Sequence, residues 1–131
     1  MPFGDEGLNW YNNTGIDAWS FNIEEFKLNG TKIKPESEKR EALIDSASAN
    51  IQIPRREFLK MKEIFFAVDP TVEEYTDPGT EDPILISKGK CVDLFKIYGD
   101  VHFHTHNTML VLKPRGYLYN TPTQDGCFIG F

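Results

Sequence analysis

The chain has 131 residues, 40% hydrophobic and 26% charged, with a formal net charge of -6. That length suits one domain able to close a hydrophobic core, and the acidic balance argues against nucleic acid as a partner, because phosphate binding needs a basic face. No apolar stretch approaches the roughly 20 residues of a membrane helix, so no membrane partner is expected, and the opening MPFGDEGLNW lacks the basic and apolar regions of a secretory signal.

Short strands punctuated by turns dominate the chain. Residues 18–28, AWSFNIEEFKL, alternate around Trp19, Phe21, Ile23 and Phe26, with a slip at Glu24-Glu25 that reads as a bulge. Asn29-Gly30 supplies a hairpin turn, since both residues tolerate positive φ, and Thr31-Lys32-Ile33 returns. KPESEKRE (34–41) is a charged exposed loop. It leads into ALIDSASANI (42–51), a buried-looking apolar strand with Asp45 in its middle. A lone carboxylate in apolar surroundings is costly to ionise. Asp45 is therefore either a functional group or a turn cap whose side chain bonds the amides of Ser46 to Ser48.

Pro54 opens RREFLKMKEIFFAV (55–68). Phe58, Met61, Ile64 and Phe65 recur there at helical spacing, which predicts the main helix with those side chains in the core. DPTVEEYTDPGTEDP (69–83), with three Asp-Pro dipeptides, reads as a surface loop. From Pro83 the pattern is β again: ILIS, CVDLFKIYG, VHFHTHN, TMLVLKP, YLYN and CFIGF.

Cys91 and Cys127 are too few for a zinc cluster and form either one disulfide or two buried thiols. A bridge would stabilise the fold by up to about 4 kcal/mol and would imply an oxidising compartment. The sequons Asn12-Asn13-Thr14 and Asn29-Gly30-Thr31 lean the same way, although the turn also accounts for the second. His102, His104 and His106 share one strand face, a pattern that hints at metal. Their spacing of about 7 Å is long for three ligands on one ion about 2 Å from each. A solvated polar face is the expectation, with no metal and no cofactor.

Taken together, a strand with Asp among small residues, a proline, a helix and β-meanders ending in a second cysteine resemble the C-terminal lobe of a pepsin-like aspartic protease. The family pattern of apolar residues and Asp-Thr/Ser-Gly-Ser/Thr is matched by ALI-Asp45-Ser46-Ala47-Ser48, with Ala47 where the family has glycine. Leu8-Asn9-Trp10, Ala18-Trp19-Ser20-Phe21, the hairpin FKLNGTKI, VHFHTHN, KPRGYLYN and the closing Cys127-Phe128-Ile129-Gly130-Phe131 follow in the family's order. The resemblance covers nearly all of residues 1–131. Tyr117 resembles a tyrosine that packs near the lobe core, without a catalytic role.

This resemblance implies a mainly β fold, one lobe of the bilobal acid protease fold, with one main helix. It implies an aspartic-type endopeptidase in which Asp45 and a second Asp from another lobe share a proton and activate a water. Ser46 and Ser48 would support the site, Ser46 bracing the carboxylate pair and Ser48 bonding substrate backbone. Cys91 and Cys127 would form the family's disulfide. The partners would be an extended peptide or protein substrate and the N-terminal lobe of the same parent, which would be secreted, lysosomal or vacuolar. Asp5, Asp17, Asp69, Asp77, Asp82, Asp93, Asp100 and Asp125 all lack the triplet, so the second Asp and the family's last strands are expected outside this chain, which alone would be inactive. Ala47 suggests reduced activity, depending on whether its φ is negative or positive. The alternative is a catalytically impaired relative acting as a peptide-binding or metal-binding (HFHTH) β-domain.

Overall fold

The computed structural model describes residues 13–14, 19–34, 41–76, 79, 82–105, 108–121 and 124–131. The expectations on Leu8-Asn9-Trp10, the Asn12 sequon, Ala18, most of the 34–41 loop and His106 lie outside the described residues. The strands are β1 (Ser20–Asn22), β2 (Glu25–Leu28), β3 (Thr31–Lys32), β4 (Glu41–Leu43), β5 (Glu73–Thr76), β6 (Pro83–Ser87), β7 (Val101–His104), β8 (Met109–Leu112), β9 (Leu118–Thr121) and β10 (Gln124–Ile129). The helices are α1 (Arg55–Val68), α2 (Cys91–Leu94) and α3 (Pro114–Tyr117). The fold is mainly β.

Three antiparallel sheets result: a β1-β4 ribbon, a sheet ordered β5-β6-β10-β9, and a sheet ordered β3-β2-β7-β8. The slip at Glu24-Glu25 is not a bulge within one strand. There the chain changes sheets, β1 pairing with β4 and β2 with β3 and β7. Asn29 (φ 50) and Gly30 (φ 78) make the expected hairpin turn between β2 and β3.

Helix α1 has the predicted bounds. Its Phe58, Met61 and Phe65 are buried, with Ile64 packed alongside, and each full burial stabilises the fold by about 1.5–3 kcal/mol. They meet Phe26, Leu28 and Ile33 from the hairpin, Leu85, Val101 and Ile129 from the two larger sheets, and Tyr98, Tyr117 and Phe131 in one cluster. Phe65 stacks on Tyr98 with ring centroids 5.0 Å apart. Tyr117 lies in the core, as expected, and donates its hydroxyl to Gly99 O at 2.5 Å. Cys91 and Cys127 are joined by a disulfide that ties the start of α2 to β10.

Two local expectations are corrected. Residues 69–83 are not all loop, because Glu73–Thr76 forms an edge strand on β6 whose Tyr75 packs edge-on against Phe128. CVDLFKIYG is not a strand either. It starts with α2, and Cys91, Leu94 and Tyr98 are the buried positions, a spacing that belongs to a helix.

Candidate active site

The β1-β4 ribbon sets the position of Asp45. Leu43 pairs with Ser20, and Ile44 N donates to Trp19 O at 2.8 Å, carrying the pairing one residue past β4. The chain then turns. Asp45 is thus on a loop at the ribbon's end, and the expectation of an apolar strand buried through residues 42–51 is corrected. Leu43 and Ile44 are 61% and 63% exposed, and Asp45, Ser46, Ala47 and Ser48 are all exposed. A solvated carboxylate needs no buried counter-charge.

Backbone geometry holds the loop. Ala47 N donates to Asp45 Oδ1 at 2.9 Å, and Ser48 N donates to Asp45 O at 3.3 Å. Ser48 Oγ donates to Asn50 O at 2.7 Å, Tyr119 OH to Asn50 Oδ1 at 3.0 Å, and Ile51 N to Gly130 O at 2.8 Å. The small residues around Asp45 therefore run over an anchor built by β9 and the end of β10. Among the described residues, Ala47 N is the sole hydrogen-bond partner of the Asp45 carboxylate, so Oδ2 is open. That single bond is also what a local turn cap would make.

Among the described residues, Asn29 is the one non-glycine with positive φ. Ala47 thus occupies backbone space open to any L-residue, and its methyl group adds no backbone strain. Ser46, Ala47 and Ser48 share the Asp45 loop. No second carboxylate hydrogen-bonds to Asp45 among the described residues.

A groove of about 400 Å³ begins at Ser48, three residues from Asp45. Ile51, Ile53, Phe58, Ile84 and Phe131 give it apolar walls, and Arg55 and Asp82 add charge. An open carboxylate beside an apolar groove can bind a chain with apolar side chains and meet its backbone with an acid–base group.

Sequence reasoning missed a second, buried carboxylate. Asp69, placed in a surface loop by its Asp-Pro context, is only 5% exposed. Its Oδ1 accepts from Thr71 N (3.1 Å) and Thr71 Oγ1 (2.7 Å), and its Oδ2 from Tyr98 OH (2.8 Å) and Ser87 Oγ. Burial pushes this carboxyl up, but the bonds from Ser87, Thr71 and Tyr98 together outweigh it and hold the group below its ordinary range. Burial, then the bond to Asp69, pushes the Tyr98 phenol up. The Asp-Pro-Thr order at the end of α1 signalled an Asx turn, though not its burial. With every lone-pair direction used, this is a structural pin.

His102 and His104 do share a strand face. They stand opposite Lys27 and Glu25 on β2, and no group of three or more His, Cys, Asp or Glu among the described residues could hold a metal ion. In comparison with known proteins, no family model and no curated sequence matches the chain.

Proposed function

We propose that this chain is one lobe of a pepsin-like aspartic endopeptidase, with Asp45 supplying one carboxylate of a catalytic pair. The observation that carries the reading is Asp45 itself. It is exposed at the end of a ribbon, with Oδ1 fixed by Ala47 N and Oδ2 open, beside a groove that starts at Ser48. Trp19, Leu43 and Ile44 form an exposed apolar surface on the same ribbon, 72%, 61% and 63% accessible, which suits a covering lobe that brings the second aspartate.

In this mechanism two close carboxylates share one proton, because both cannot ionise easily side by side. The ionised member takes a proton from water as the water attacks the peptide carbonyl. The protonated member polarises that carbonyl and later protonates the leaving amine. Ser46 braces the pair and Ser48 bonds the substrate backbone. The parent acts in a secreted, lysosomal or vacuolar setting, in keeping with the Cys91–Cys127 bond.

The test supplies this chain with a lobe bearing an Asp-Thr-Gly loop and follows peptide cleavage at acid pH. Cleavage that is lost in Asp45→Asn supports the reading, and undiminished cleavage in that variant overturns it. We further propose that the Ala47 methyl slows catalysis by crowding the second carboxylate rather than by straining its own backbone. Ala47→Gly would then cleave faster, and equal rates would dismiss the crowding.

A further inference from the structure

The outer face of the β3-β2-β7-β8 sheet concentrates positive charge in a chain whose net charge is -6. Paired residues on antiparallel strands point to the same side. The register therefore lines up Lys32, Lys27, His102 and Val111 in one row, and Glu25, His104 and Met109 in the next. The opposite face holds Phe26, Leu28 and Val101 in the core. At one end, Asn29 N bonds Asp100 O, and Lys113 Nζ reaches Asp100 Oδ2 at 2.6 Å. Lys34 follows β3 and is exposed, and Glu24 N bonds His104 O.

Placing Lys32 directly opposite Lys27, with a histidine next in line, disfavours the folded sheet. Glu25 alone bridges this cluster, lying 3.6 Å from Lys27, 3.3 Å from Lys32 and 3.8 Å from His104 Nε2. Partial burial pushes Glu25 up, while Lys32, Lys27 and His104 pull it further down, so it titrates below its ordinary range and stays ionised in mild acid. Histidine is the side chain that ordinarily gains charge between pH 8 and 5. Acidification thus adds two positive charges to a face that holds its one bridging carboxylate constant. β8 is the outermost strand on this side, and its Met109 and Val111 are 44% and 43% exposed on the same face.

We propose that this face docks the chain onto an anionic lipid surface and does so more tightly in acid. Charge complementarity names the ligand class, and shape favours lipid over an acidic peptide. The charges are spread across the plane of a sheet, which matches a continuous anionic surface, and Met109 and Val111 at its rim supply apolar contact with the interface. Peripheral docking of this kind needs no spanning helix, and none of the described helices is long and apolar enough to span.

The experiment is vesicle co-sedimentation with phosphatidylcholine, alone or mixed with phosphatidylserine. Binding to the mixed vesicles is expected to strengthen roughly tenfold or more between about pH 8 and about pH 5, and to fall with added salt. His102→Gln/His104→Gln should keep the weak binding and lose the acid increase. Lys27→Glu/Lys32→Glu should abolish binding, and Glu25→Gln should strengthen it at the higher pH. Circular dichroism on each variant confirms that it folds. Equal binding to pure phosphatidylcholine, or an acid increase that survives in the histidine variant, overturns the proposal. So does binding of soluble polyglutamate without binding of vesicles, which would reassign the face to acidic polypeptides.

Discussion

Replacing Asp69 with alanine should destabilise the fold by about 3–5 kcal/mol. The carboxylate accepts four hydrogen bonds, from Thr71 N, Thr71 Oγ1, Ser87 Oγ and Tyr98 OH, at the junction of α1, β6 and the turn after α2. Hydrogen bonds to a charged group are worth about 1.5–3 kcal/mol each. Their sum overstates the loss, because Thr71 Oγ1 and Ser87 Oγ are 3.2 Å apart and can pair with each other once Asp69 is gone. Tyr98 has no such substitute, and its hydroxyl is left buried without an acceptor. Tyr98→Phe, which removes one bond and leaves no orphan hydroxyl, should cost about 1–2 kcal/mol.

The same residue sets a pH dependence. Its carboxyl is held below its ordinary value of 3.8 when folded, so the unfolded chain binds more protons there and stability rises with pH through this window. The contribution is complete above about pH 5 and is lost as the pH falls through the lowered folded value. Urea unfolding followed by circular dichroism, near neutrality and then in acid, measures both effects. Asp69→Ala should flatten the acid limb of the stability curve. A loss below about 1 kcal/mol near neutrality, or an acid limb unchanged in the variant, would refute the reasoning.

Other perturbations test the packing. Gly126 sits at φ 102 in the irregular stretch of β10 between Gln124 and Phe128, and a Cβ there would lie 2.4 Å from Ser87 O. Gly126→Ala should therefore cost at least about 2 kcal/mol, from a positive φ combined with a backbone clash, read as a lowered urea midpoint. Phe65→Ala should cost about 3–5 kcal/mol, because Phe65 is 1% exposed between Tyr98 and Tyr117. Asp45→Asn, at an exposed loop, should leave stability within about 0.5 kcal/mol of the parent in the same unfolding assay.

What the sequence disclosed depended on whether local chemistry was sufficient. Helix α1 was legible because its apolar period and Pro54 agree, and the β2-β3 turn because Asn29 and Gly30 are the residues that enter positive φ at low cost. Strand β5 was not legible. Glu73–Thr76 is an edge strand with one packed side chain, Tyr75, so it lacks the alternation of a half-buried strand. Helix α2 was misread because four helical residues flanked by apolar ones resemble a strand unless the period through Cys91, Leu94 and Tyr98 is counted. The Asp45 loop was found through its residues, but its exposure was not: Leu43 and Ile44 look like core and instead face outward. The Asp69 pin needed partners 18 and 29 residues away, which no local pattern reveals.

The most direct measurement is peptide hydrolysis at acid pH by this chain joined to a lobe carrying Asp-Thr-Gly, compared with the same protein bearing Asp45→Asn. Cleavage is expected in the first and none above background in the second, with unchanged unfolding curves. Equal cleavage by both would show that Asp45 takes no part in the chemistry.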